Sequence, residues 1–181
     1  MTYFEDLSEY SYFARYHRRG TKNVGWLGQG YAFPKDVPSE EMLDLLWSFC
    51  SISVVQTRGI HQCELCESPR TVYAIRNGTR FKLGSAEIRV FGRLGDIYAA
   101  PNLIYHYVRS HQYQLPNEFL SALNESPRPP SSEYFDRLRE LDLEWNKTFG
   151  PAPQTVAFRF EKINGQVRRV EVPRAIHIDD D

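Results

Sequence analysis

Five side chains in this sequence have the types and spacing to hold a metal ion. Cys63 and Cys66 form a Cys-x-x-Cys pair, with His61 two residues before the first thiol. His106 and His111 follow much later, spaced His-x-x-x-x-His. Two thiolates three residues apart can face one tetrahedral ion from a tight turn. Gly59 supplies the flexibility such a turn needs. A Cys pair followed by a His pair is a recurrent zinc pattern. Residues 67–105 separate the two halves, too many for a simple finger. One Zn2+ here would therefore pin two distant parts of the chain together.

Which histidines complete the set depends on the helix expected from Pro101-Asn102 through His111. Ile104, Tyr107, Val108 and His111 fall at i, i+3, i+4 and i+7, a single apolar stripe. His111 lies on that stripe and is the better third ligand. His106 is about 200° from Ile104 on a regular helix. The fourth ligand is His106 or His61. Four protein ligands imply a closed, structural site, whereas three plus water would leave a catalytic one. In the competing reading the thiols are reduced and unliganded, and both histidines merely pack.

Enzyme templates fit poorly. Zinc deaminases need His-x-Glu with Pro-Cys-x-x-Cys, and the chain reads His-Gln-Cys at His61. A His-Asn-His nuclease shares the layout of Cys-x-x-Cys, hairpins, then Asn102-Leu103 at a helix start. It also needs a general-base histidine on the hairpin, and residues 67–105 contain none. A degenerate relative remains an alternative. A thioredoxin-like role fails because Cys-Glu-Leu-Cys does not open a helix in a βαβ pattern. Phosphate loops, serine nucleophile elbows and dinucleotide glycines are absent. Glu87 could act as a base, but it shares a strand face with Arg89, and a cross-strand ion pair explains it better.

The surrounding chain can build a scaffold for such a site. Its 181 residues suffice for one domain with an attachment. Hydrophobic residues make up 41% and aromatic residues 14%, enough to exclude a disordered chain. Lys and Arg number 22 against 23 acidic residues. That balance gives no global field for nucleic acid or an anionic membrane. No apolar run approaches the ~20 residues of a spanning helix. The first residues lack the basic start and apolar stretch of a signal peptide. With three cysteines, one pair of them close, a reducing cytoplasm is the expected compartment.

Residues 2–19 carry six aromatics and read as an irregular arm packed on the core. With Arg15, His17, Arg18 and Arg19 beside them, the alternative is a stacking platform for bases. Asn23 to Gly28 reads as a short strand ending in a turn. Pro38 suits the first position of a helix whose face is Met42, Leu45, Leu46, Phe49 and Cys50. Cys50 on that face is expected to be a buried thiol. Residues 51–56 read as a strand. Asn77-Gly78 predicts a type I′ hairpin joining 71–75 to 79–83. Residues 86–91 alternate as a half-buried strand should, and 97–100 return beside them. A short helix over 116–123 follows. After Pro127, Pro129 and Pro130, residues 132–149 read as a helix with Phe135, Leu138, Leu141, Leu143 and Trp145 as its apolar positions. A second hairpin turns at Asn164-Gly165. These elements predict an α+β fold: a small antiparallel sheet with helices on it and a zinc-knuckle-like turn. The expected division is a main domain over 1–126, an attached helix and hairpin over 131–173, and an acidic tail over 174–181.

Five segments are distinctive together: Asn23-Val24-Gly25-Trp26-Leu27, His61-x-Cys63-x-x-Cys66, Gly84-Ser85-Ala86-Glu87-Ile88-Arg89-Val90, Tyr98 to Val108, and His111-Gln112-Tyr113. Over about residues 2–123 the chain resembles an uncharacterised family of small bacterial cytoplasmic proteins, a domain of unknown function. The resemblance implies a metal-holding domain with no assigned activity, and the segment after Pro127 departs from it. Several small bacterial proteins of this kind look like immunity partners of secreted toxins. The expectation is thus a non-enzymatic, zinc-stabilised protein whose partner is another protein, in an immunity or regulatory role, with no membrane, no nucleic acid and no organic cofactor. A metal-dependent hydrolase and a nucleic-acid-binding zinc domain are the alternatives.

Overall fold

The computed structural model describes residues 2–68, 70–93, 95–147, 156–163 and 166–173; for 146–147 and the last two stretches only the backbone is described. Contacts divide the chain into two compact units, Met1–Phe149 and Gly150–Asp181. The first unit contains the candidate site.

Helix α1 (Glu40–Cys50) begins where Ser39 accepts a hydrogen bond from Met42 N. Ser39 is therefore the cap, and Glu40 rather than Pro38 opens the helix. Glu40 and Glu41 sit at the positive end of the dipole. Leu43, Leu45, Leu46, Trp47, Phe49 and Cys50 are buried, so Cys50 is the core thiol expected. The chain continues into β2 (Ile52–Val54).

Strands β1 (Thr21–Asn23), β2, β5 (Glu87–Phe91), β6 (Ile97–Pro101) and β7 (Trp145–Lys147) form one sheet in the order β1-β6-β5-β2-β7. Hairpin pairing sets Arg89 opposite Ala99 and Phe91 opposite Ile97. The fold is α+β, but this sheet is mixed rather than antiparallel, because β1 runs parallel to β6. A parallel pair needs a long crossover, and nothing local in the sequence marks such a partner. Strands β3 (Tyr73–Arg76) and β4 (Thr79–Lys82) form a separate two-stranded sheet. Asn77 and Gly78 have φ of 50° and 71°, the pair of positive values that a type I′ turn requires.

Every residue of β5 and β6 is buried, which corrects the half-buried reading. Both faces of these strands are covered. Helices α1 and α3 (Asn117–Glu125) pack against β5. On the face of Glu87, Arg89 and Ala99 lies the N-terminal arm. Tyr10 OH donates to Glu87 Oε1 at 2.9 Å, and Trp26 Nε1 donates to Ala99 O at 3.2 Å. Phe4 and Tyr12 pack on Trp26, with ring centroids 5.6 and 4.7 Å away. The arm's aromatics are thus committed to packing. Arg89 and Glu87 do form an ion pair, but along one strand rather than across two, at 2.6 Å.

Helix α4 is Ser132–Glu140, capped by the Ser131 hydroxyl, and ends well before residue 149. Asp142 takes a left-handed φ of 55°, and Trp145 lies in β7, paired with Val54 of β2. Leu141 caps the helix and Leu143 lies between it and β7, so neither Leu143 nor Trp145 is on a helix as expected. Tyr134 and Leu138 of α4 are fully buried, and Tyr134 OH donates to Arg89 O. In the second unit, β8 (Val156–Ile163) pairs with β9 (Gln166–Pro173) over eight residue pairs, the second hairpin. Its turn at Asn164-Gly165, and the tail 174–181, lie outside the described residues.

Candidate metal centre

The segment Gly84–Ala86, just before β5, is the spine of the site. On one side it holds the cysteine turn: His61 N donates to Gly84 O at 2.7 Å and Thr57 N to Ser85 O at 2.8 Å. On the other it holds the entry to helix α2 (Ile104–His111). Gly84 N donates to Asn102 Oδ1 at 2.7 Å, and Asn102 N donates to Ala86 O at 2.9 Å. Three stretches far apart in sequence thereby meet at one place.

Only glycine suits position 84. Its φ is +93°, and a Cβ there would lie 2.1 Å from the carbonyl oxygen of His61. Gly84→Ala should therefore push the cysteine turn off the strand. A backbone forced into this region costs on the order of 2 kcal/mol, before the clash is counted. Urea unfolding should show a lower midpoint; an unchanged midpoint would contradict this arrangement.

Helix α2 delivers the two later histidines. Ile104, Tyr105, His106, Tyr107 and Val108 are all buried. Five consecutive residues cover every direction of the helix, so over Ile104–Val108 the apolar stripe did not mark the side that faces the cysteines. His111 is the last helical residue, and Gln112 ends the helix with a left-handed φ of 55°. The two rings converge across this end, with Nε2 atoms 3.2 Å apart.

Cys63, Cys66, His106 and His111 place one donor atom each within 4.8 Å of one another, close enough to hold a metal ion. His111 Nε2 is 3.3 Å from Cys63 Sγ and 3.5 Å from Cys66 Sγ. His106 Nε2 is 3.3 Å from Cys66 Sγ. Cys63 and His106 are buried, while Cys66 and His111 are half-buried, so the centre reaches the surface on one side. Burial, with a smaller contribution from the neighbouring Cys66, pushes the Cys63 thiol up to about 11. Burial also lowers the His111 imidazole, aided by Lys35. Both shifts favour the neutral forms of Cys63 and His111 without an ion; a divalent cation would replace the thiol protons.

His61 is not in this group. Its Nε2 lies 3.2 Å from Tyr12 OH, which fastens the arm to the turn. Of the two candidates for fourth donor, the structure brings His106 to the cluster and leaves His61 outside it. Cys50 is also apart: its Sγ donates to Asn102 O at 3.8 Å, and burial pushes the thiol up to about 12. A small pocket is lined by Tyr12, Trp26, Thr57, His61, Ser85 and Glu87, but by none of the four donors. Glu87 there is occupied by Arg89 and Tyr10, and burial raises its pKa. Sequence reasoning missed Gly84 and Asn102 as positioning residues. A glycine directly before the alternating strand was the available signal.

No curated protein and no solved structure matches the chain. The profile of a domain of unknown function (DUF7919) matches residues 2–124 of the 181. That stretch includes the arm, the cysteine turn, the β3–β4 and β5–β6 hairpins and α2, with all four donors inside it. The chain belongs to this DUF7919 family.

Proposed function

We propose that Cys63, Cys66, His106 and His111 bind one structural zinc, and that the chain is a zinc-stabilised, non-enzymatic protein that binds another protein in a bacterial cytoplasm. An immunity or regulatory role fits this reading. The observation that carries it is the convergence of four donors. Zn–S bonds of about 2.3 Å and Zn–N bonds of about 2.0–2.1 Å at tetrahedral angles require S···N near 3.5 Å and N···N near 3.3 Å. The distances of 3.3–3.5 Å and 3.2 Å meet that requirement. Two sulfur and two nitrogen donors select zinc over the harder oxygen-seeking cations. Four protein ligands leave no position for an activated water, so the ion's work is to fasten the cysteine turn to α2.

Support for a non-enzymatic role comes from the same neighbourhood. No described carboxylate joins the four donors in the cluster, and Glu87 is committed to an ion pair. Catalysis would need an acid and a base beside the metal. No described helix is long and apolar enough to cross a membrane. The proposal is tested by purification of the tagged chain from its own host. A stoichiometric protein partner supports it. Metal-dependent hydrolysis that disappears in Glu87→Gln would overturn it in favour of a hydrolase.

The ligand assignment has its own test. His106→Ala should lose the zinc, whereas His61→Ala should keep it and loosen only the arm. Metal analysis of the two variants decides; loss of zinc in His61→Ala alone would reverse the assignment.

A further inference from the structure

The two thiolates of the proposed centre differ in access, and that difference gives it a second property. Cys63 is fully buried, while Cys66 is half-buried at the side where the centre meets solvent. Their sulfurs lie within 4.8 Å of each other and three residues apart. A disulfide needs the sulfurs at about 2.05 Å, so closing the gap takes a local adjustment of one turn. The remaining thiol, Cys50, is enclosed in the core and lies outside the cluster.

We propose that the zinc centre is a peroxide-responsive switch, with Cys66 as the attacking thiolate and Cys63 as the resolving one. This rests on the zinc reading above. Cys66 Sγ attacks one oxygen of a hydroperoxide, here hydrogen peroxide; the O–O bond breaks, hydroxide leaves, and Cys66 becomes a sulfenic acid. Cys63 Sγ then attacks Cys66 Sγ, the S–S bond forms, and a second hydroxide leaves. The two sulfurs together lose two electrons. The peroxide gains them, and two protons from solvent turn its oxygens into water. A disulfide offers the ion no thiolate, and two imidazoles alone hold zinc weakly, so the ion is released.

Release would be felt beyond the centre. The cysteine turn carries two contacts from the N-terminal part of the chain: Tyr12 OH with His61 Nε2, and Gln29 N donating to Glu64 Oε2 at 3.3 Å. Tyr12 also packs against Trp26, which is 1% exposed. When the turn rearranges, the arm loses its fastening and Trp26 gains solvent. The switch thus couples oxidation to the arm that covers one face of the sheet.

The test uses the full chain as purified without chelator. Its zinc content is measured first, and it is then exposed to hydrogen peroxide with a chromogenic zinc chelator present. Zinc should appear in step with a disulfide in the tryptic peptide of residues 59–70, which becomes lighter by two hydrogens. Iodide quenching of tryptophan fluorescence should rise, and the rise should be absent in Trp26→Phe, which leaves Trp47 and Trp145 to report. Dithiothreitol with added zinc should restore the starting state. Protein that carries one zinc but keeps it under peroxide, with both thiols reduced, defeats the switch and leaves the structural zinc standing. Zinc loss with only sulfinic or sulfonic acid at Cys66 also defeats it. Protein purified without zinc defeats the underlying reading and the switch together.

Discussion

Cys63→Ser is expected to abolish metal binding and lower the melting temperature, while far-UV circular dichroism stays nearly the same. Cys63 is the most enclosed donor of the cluster, at 0% exposure, so its loss cannot be made good by water. Structural zinc in small peptides contributes about 10–16 kcal/mol, because nothing else holds those peptides folded. Here the effect should be smaller. Phe49, Ile88, Val90, Ile104 and Phe119 form a fully buried core that does not depend on the ion. Loss of a structural metal still ranks among the most damaging single changes, on the order of 4 kcal/mol or more. In a chain of this size that corresponds to roughly 10 °C. His111→Ala should behave alike. Scanning calorimetry with and without chelator provides the comparison: chelator should lower the wild-type midpoint towards that of Cys63→Ser and leave the variant unmoved. A wild-type midpoint indifferent to chelator would contradict the account.

The second large effect is expected at Glu87. Its carboxylate accepts from Tyr10 OH through Oε1 and from Arg89 Nη1 through Oε2, and Arg89 is 1% exposed. Arg89 Nη2 already has no hydrogen-bond partner among the described residues. Glu87→Ala would leave a buried guanidinium with the Ile88 carbonyl as its one hydrogen-bond acceptor among the described residues and the Tyr10 ring 5.0 Å away. Breaking a buried pair in this way costs about 3–5 kcal/mol, mostly the penalty of the stranded charge. Replacing both partners by apolar residues removes that penalty. The double variant Glu87→Leu/Arg89→Met should therefore be more stable than Glu87→Ala alone. Urea denaturation of the single and double variants checks this; a double variant less stable than the single one would show that the polar network itself stabilises the fold.

How much was legible in the sequence varied with the range of the interaction. The Asn77-Gly78 hairpin was readable because its turn chemistry is local. The α1 face was readable because Leu45, Leu46, Phe49 and Cys50 repeat at helical spacing. The parallel pairing of β1 with β6 was not, since Thr21 and Ile97 share no local signal. The length of α4 was misread because Leu138 and Leu141 continue a helical period past Glu140, where the helix ends, and β7 begins only at Trp145. Within the site, the Cys-x-x-Cys pair and His111 followed from spacing. The place of His106 did not, because a wheel argument supposes one buried face, and Ile104–Val108 of α2 are all buried. Gly84 acts through its backbone, which no residue-type search for ligands would select.

The proposed zinc joins the cysteine turn to α2 through donors from both. The most direct measurement is elemental analysis of protein purified without chelator, combined with native-state alkylation of its thiols. About one zinc per chain is expected, with Cys63 and Cys66 protected until a chelator is added. A ratio near zero, with both thiols freely alkylated in the folded protein, would contradict it.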